Sequence, residues 1–162
     1  MLCNGCGTTR ADALAGSSKA YQWLYGKGEE MEKTIQTVII HTDGVIEEKA
    51  MEQGCKPLQD AVGGFIEAVY SNTGDTTLWI NEEGKLHNMS VNWVATALWW
   101  NLDPAARGAD ILVGPVVVTG GIDEEGYTRS ISSEGQGALS CTLEFEFAAQ
   151  VVQKVIHKVV GE

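Results

Sequence analysis

Eight residues in the second half of the chain, Ile111-Leu112-Val113-Gly114-Pro115-Val116-Val117-Val118, constrain the fold more than any other stretch. An apolar run of this length bounded by turn residues reads as a deeply buried strand. Pro115 qualifies that reading: it has no N–H to give a ladder, so it demands a bulge or an edge position. A strand buried on both faces also needs neighbours to pair with and layers to cover it.

The rest of the chain supplies both. Thr34 to Ile40 is β-rich, and Thr42-Asp43-Gly44 carries turn chemistry before a return strand over Val45 to Met51. Phe65 to Tyr70 and Thr76 to Ile80 flank the loop Ser71-Asn72-Thr73-Gly74-Asp75, a second hairpin. Asn81-Glu82-Glu83-Gly84 is a further turn, and Tyr127 to Ile131 reads as a short strand. Pro57, with Leu58, Ala61 and Val62 at helical spacing, starts a helix that Gly63-Gly64 ends. Ser90 is placed to cap a helix from Val91 to about Asn101, closed by Asp103-Pro104. Ser132 to Gly137 reads as a loop and Leu139 to Val160 as a long helix, although Leu143, Phe145 and Phe147 alternate as in a strand.

Hairpins outnumber βαβ crossovers, which predicts an α+β fold: a small, mostly antiparallel sheet, two core helices and a long C-terminal helix. Residues 1–32 read as an extension containing a Cys-x-x-Cys pair, and 33–162 as a single α+β domain. No apolar run approaches the ~20 residues of a membrane helix, and no basic-then-apolar leader pattern opens the chain. The expectation is a cytoplasmic protein with no membrane partner. A net charge of −11 with no basic stripe argues against direct nucleic-acid binding.

The chemically suggestive residues are few. Cys3 and Cys6 form half of a zinc knuckle, with Cys55, Cys141, His41, His87 and His157 as isolated candidates for the missing ligands. The alternatives are zinc at that pair or reduced thiols with no cofactor. Gly135-Gln136-Gly137 resembles part of a phosphate-binding loop, but Ser140 stands where a dinucleotide fingerprint has its third glycine. Trp93, Trp99 and Trp100 fall on one predicted helix; Trp93 and Trp100, seven apart, share a face, and the three indoles together exceed what one core stripe needs, which predicts one or two in the core and another exposed at a dimer contact or ligand groove. No nucleophile elbow and no His-Glu-x-x-His helix occurs, so no catalytic residue is assigned and an enzymatic role is disfavoured.

One resemblance emerges from the core. Pro57-Leu58-Gln59 with Val62-Gly63-Gly64-Phe65-Ile66-Glu67, then Asn81-Glu82-Glu83-Gly84-Lys85-Leu86, Asn92 with Ala95-Thr96, and Ile111 through Val118 follow in order. Together they resemble a family of small domains of unknown function, numbered 3846, over about residues 35–130. The resemblance implies an accessory gene of a phage, plasmid or other mobile element, and brings no catalytic residues with it. Most of the shared residues shape the chain; Asn81, Glu82 and Asn92 carry the polar groups free to face a ligand, and with Trp93, Trp99 and Trp100 they form the candidate ligand-binding set.

These readings predict an accessory binding protein, one that counteracts host defence by holding a small nucleotide or a host protein. Lys85, Arg107 and Arg129 are the cations available to a nucleotide. The alternatives are an acidic DNA mimic that inhibits a DNA-binding enzyme, a zinc-binding module at Cys3 and Cys6, and a structural, oligomer-forming protein. A homo-oligomer is expected, through the last helix or the tryptophan helix.

Overall fold

The computed structural model describes residues 34–160. Strands β1 (Thr34–Ile40) and β2 (Ile46–Glu52) form the first hairpin, followed by helix α1 (Cys55–Val62). The second hairpin is β3 (Ile66–Tyr70) with β4 (Thr76–Asn81). Helix α2 (Trp93–Leu102), a 3-10 turn (Pro104–Ala106), strand β5 (Val116–Gly120) and helix α3 (Ser133–Val160) complete the order. The strands form one sheet in the order β2-β1-β5-β4-β3, antiparallel at every step. This is the α+β architecture expected: among the described residues, an antiparallel sheet with three helices, the last of them C-terminal.

The last strand in sequence takes the centre of the sheet, between the two hairpins. Val116, Val117 and Val118 are wholly buried there. The strand is shorter than the apolar run suggested. It begins only after Pro115, because a central strand spends every N–H on its two neighbours and proline has none. Gly114, with φ of 74°, turns the chain at that point, and Val113 makes only an isolated bridge to Val91. A side chain at Gly114 would also meet Met89 Sδ at 2.7 Å.

Alternation along the strands makes two cores. Val38, Ile40, Leu78, Val116 and Val118 face α2 and α3, where they meet Leu98, Leu102 and Leu139. Ile35, Ile39, Trp79 and Val117 face α1, where they meet Leu58 and Val62. Each fully buried aliphatic side chain contributes roughly 1.5–3 kcal/mol. The α1 face also carries three buried threonines, Thr37, Thr77 and Thr119.

Four expectations are corrected. Helix α2 starts at Trp93 with Asn92 as its cap, not at Val91 with Ser90; the Asn92 Oδ1 accepts from Ala95 N at 3.1 Å. Helix α3 starts at Ser133 and absorbs both the predicted loop and the alternating Leu143–Phe145 stretch. Ser132 Oγ accepts from Gly135 N at 3.1 Å, the usual N-terminal cap geometry. Gly135 is no phosphate cradle: it is buried against Thr76, whose Oγ1 lies 3.1 Å from where a Cβ would stand. The predicted strand at Tyr127 to Ile131 is a folded-back segment with one bridge, Ile122 to Thr128, and it donates from Ile131 N to Gln36 O.

Candidate binding surface

Asn92 is 1% exposed and spends its whole side chain inside the protein. Its Nδ2 donates to Ile40 O and to Gly114 O, both at 2.9 Å, while its Oδ1 caps α2. Thr96 Oγ1 donates to Asn92 O and accepts from Leu112 N, extending the same lattice. One asparagine thus ties the end of β1, the approach to β5 and the start of α2. Asn81 works similarly at the end of β4: Nδ2 reaches Val62 O at 3.3 Å and Oδ1 accepts from Glu83 N at 2.9 Å. Glu82 is exposed, and its backbone N–H donates to Phe65 O.

The tryptophans separate. Trp99 packs against the α2–α3 core. Trp100 is half-buried, with its Nε1 donating to Asp110 O at 3.1 Å. Trp93 stands 61% exposed at the first turn of α2. Lys85 reaches from the turn after β4 to both carboxylate oxygens of Asp110, holding that turn against the α2 flank. This hydrogen bond, and a second from Ile111 N, hold the Asp110 carboxyl below its ordinary range.

Topology collects the exposed apolar residues at the same end of the sheet. Val45 lies in the β1–β2 turn, Phe65 leads into β3, Leu86 follows Lys85, and Trp93 opens α2. Four of the six large hydrophobics exposed among the described residues are these, at 55, 65, 75 and 61%. Sequence reading named Trp93 only together with Trp99 and Trp100, as three indoles beyond what one core stripe needs, without deciding which is exposed. It missed Val45, Phe65 and Leu86, since lone apolar residues in turns carry no periodic signal.

Two of the three basic residues considered for a nucleotide do not converge. Lys85 is engaged by Asp110, whereas Arg129 belongs to the opposite end of the sheet, where its carbonyl accepts from Gly120 N. Two histidines meet carboxylates close to them in sequence: His41 meets Glu47 at 3.2 Å and His87 meets Glu83 at 3.9 Å. Cys3 and Cys6 lie outside the described residues; among the described residues no group of three or more His, Cys, Asp or Glu is placed to hold a metal ion. Among the same residues no helix is long and apolar enough to cross a membrane.

The opposite end of the sheet holds a cluster that sequence reading did not anticipate. Glu134, in the first turn of α3, accepts from Thr73 Oγ1 at 2.6 Å, Thr76 Oγ1 at 2.9 Å and Ser71 Oγ at 3.3 Å. All three hydroxyls come from the β3–β4 turn and its flanks. A carboxylate there also complements the helix dipole.

A family model for the domain of unknown function DUF3846 matches residues 35–143. The chain belongs to the DUF3846 family. The match spans the whole sheet and reaches into α3, so Glu134 and its hydroxyl partners fall within the DUF3846 domain. No curated protein and no solved structure matches the chain. Within the domain, Asn81, Asn92 and Gly114 have the structural roles described above, and Glu82, Leu86 and Trp93 are exposed.

Proposed function

We propose that this DUF3846 domain is a binding protein whose partner is another protein, engaged through the end of the sheet that carries Phe65, Leu86 and Trp93. The observation behind this reading is the gathering of four exposed large hydrophobics at one end of the sheet. Aromatic and aliphatic anchors ringed by polar groups are the usual centre of a protein contact. The rim here is mainly acidic, with Asp43, Glu82 and Glu83 exposed, which favours a partner with a basic surface around an apolar centre. A small nucleotide is the weaker candidate, because Lys85 is already paired and Arg129 lies at the far end. The mobile-element context implied by the family makes a host protein the expected partner and interference with host defence the expected purpose.

The test has two arms. A partner captured from host cells and then purified should bind the wild type and lose binding to the Leu86→Ser/Trp93→Ser double variant. Calorimetry against cyclic and linear nucleotides should show no heat. Saturable nucleotide binding that the same double variant abolishes would replace the protein partner with a nucleotide. A salt-sensitive complex indifferent to both substitutions would favour the acidic DNA-mimic reading.

A further inference from the structure

Helix α3 outlasts the domain it starts in. On the core it places Ala138, Leu139 and Leu143, and the family match ends at residue 143, yet the helix continues to Val160. Cys141 and Phe145 lie on another side of the helix, where both are exposed, Phe145 at 74%. Those two residues open a series, Cys141, Phe145, Ala148, Val152, Val155 and Val159, whose spacing alternates between four and three. Such spacing is the a/d repeat of a coiled coil, here carried through to the end of the helix. Charge is divided along the same stretch: Glu144 and Glu146 stand at its start, Lys154 and Lys158 near its end.

We infer that this seam pairs with the same seam of a second copy, making an antiparallel two-helix coiled coil about a two-fold axis level with Gln150. The orientation follows from charge. A parallel pair sets Glu144 and Glu146 beside the same acids of the second copy, and Lys154 and Lys158 beside the same lysines, which repel. An antiparallel pair sets each acidic start beside a basic end. The register follows from the seam. With the axis at Gln150, Cys141 meets Val159 of the second copy, Phe145 meets its Val155, and Ala148 meets its Val152. The positions flanking those layers set partner and orientation in a coiled coil, and here they put Glu144 opposite Lys158 of the second copy. Sliding one heptad either way loses a layer on each side of the axis and separates that ion pair. Ala149, exposed in the single copy, flanks the middle of the seam, where a small side chain lets the two helices approach closely. The surface is thus self-complementary, as a two-fold interface requires. The inference is independent of the partner surface proposed above.

Light scattering of the full chain at high-micromolar concentration is expected to give twice the chain mass. Phe145→Ser is expected to run as a monomer with the tryptophan emission of the folded domain unchanged, because that residue is exposed in the single copy. Should it fail to fold, Val155→Asp, beyond the family domain, is expected to give the same loss of the dimer. Glu144→Lys and Lys158→Glu are each expected to weaken the dimer about tenfold, and the two together to return it to within about threefold of wild type. The Leu86→Ser/Trp93→Ser double variant is expected to leave the dimer intact. A monomeric wild type, a dimer that survives substitution at Phe145 or Val155 in folded protein, charge reversals that do not rescue each other, or a dimer lost in the folded Leu86/Trp93 variant overturns the inference.

Discussion

Asn92 and Glu134 have comparable tasks at opposite ends of the sheet, each fastening the start of a helix to strand ends, but they use different partners. Asn92 is buried and bonds only to backbone, at Ile40, Gly114 and Ala95. Glu134 is partly exposed and bonds to three side-chain hydroxyls. Backbone groups cannot rotate to a new partner, whereas hydroxyls can, and two of these have others at hand: Thr76 Oγ1 lies 3.2 Å from Ser132 Oγ and Ser71 Oγ 3.1 Å from Thr73 Oγ1. The first end should therefore be intolerant of change and the second forgiving. The intolerant end is also the one with the exposed apolar rim, so a rigid base lies beneath the proposed contact surface.

The largest expected effect tests the first half of this comparison. Asn92→Ala strands two buried carbonyls and one amide, and is expected to cost about 3–4 kcal/mol in urea unfolding. Asn92→Ser, which can restore the cap alone, should recover about 1 kcal/mol of that. Glu134→Ala is expected to cost about 1–2 kcal/mol, and Glu134→Gln less, because an amide oxygen still accepts from the hydroxyls. Equal losses for the two alanine variants would break the comparison.

Thr77 sharpens it from the strand between the two ends. Its neighbour Thr76 bonds to Glu134, but the Thr77 hydroxyl is buried with no partner among the described residues. Thr77→Val keeps the shape and removes the orphan group, so thermal unfolding should shift upward by the equivalent of about 1 kcal/mol. A destabilised variant would mean that the hydroxyl is satisfied in solution.

The smallest effect concerns Asp110, beside the apolar rim. Its carboxyl titrates lower in the folded state than in the unfolded chain, chiefly through the hydrogen bond from Lys85. The contribution is therefore present above the ordinary aspartate range and lost as pH falls through the depressed folded value. Both side chains are about half exposed, so the effect on stability should be slight. A carbon-detected NMR titration should show Asp110 titrating below an ordinary aspartate, and Lys85→Met should move it back up.

Several features were legible in the sequence because they depend on local chemistry. The two hairpins follow from β-rich runs around Asp-Gly and Asn/Gly/Asp turns, and α1 from the spacing of Leu58, Ala61 and Val62 and the Gly63-Gly64 stop, although it starts at Cys55 rather than at Pro57. The family followed from ordered short segments, and the model match confirms it over residues 35–143. Helical spacing put Trp93 and Trp100 on one face, yet Trp93 is exposed at the start of α2 while Trp100 is half-buried and bonded to Asp110 O. The start of α3 was misread because Ser132 to Gly137 is rich in loop residues, and its capping depends on contact with Thr76 and Ser71, some sixty residues earlier.

Tertiary structure alone decided three things. It put β5, the last strand, at the centre of the sheet, which shortened the apolar run at Pro115 because a central strand has no place for a missing N–H. It brought Ile40 and Gly114 to Asn92, converting a candidate ligand-binding amide into an internal tie. It gathered Val45, Phe65, Leu86 and Trp93 at one end from four separate stretches of chain. A sequence records what each residue can offer locally; which of those offers is spent inside the fold depends on backbone groups that only long-range pairing brings within reach.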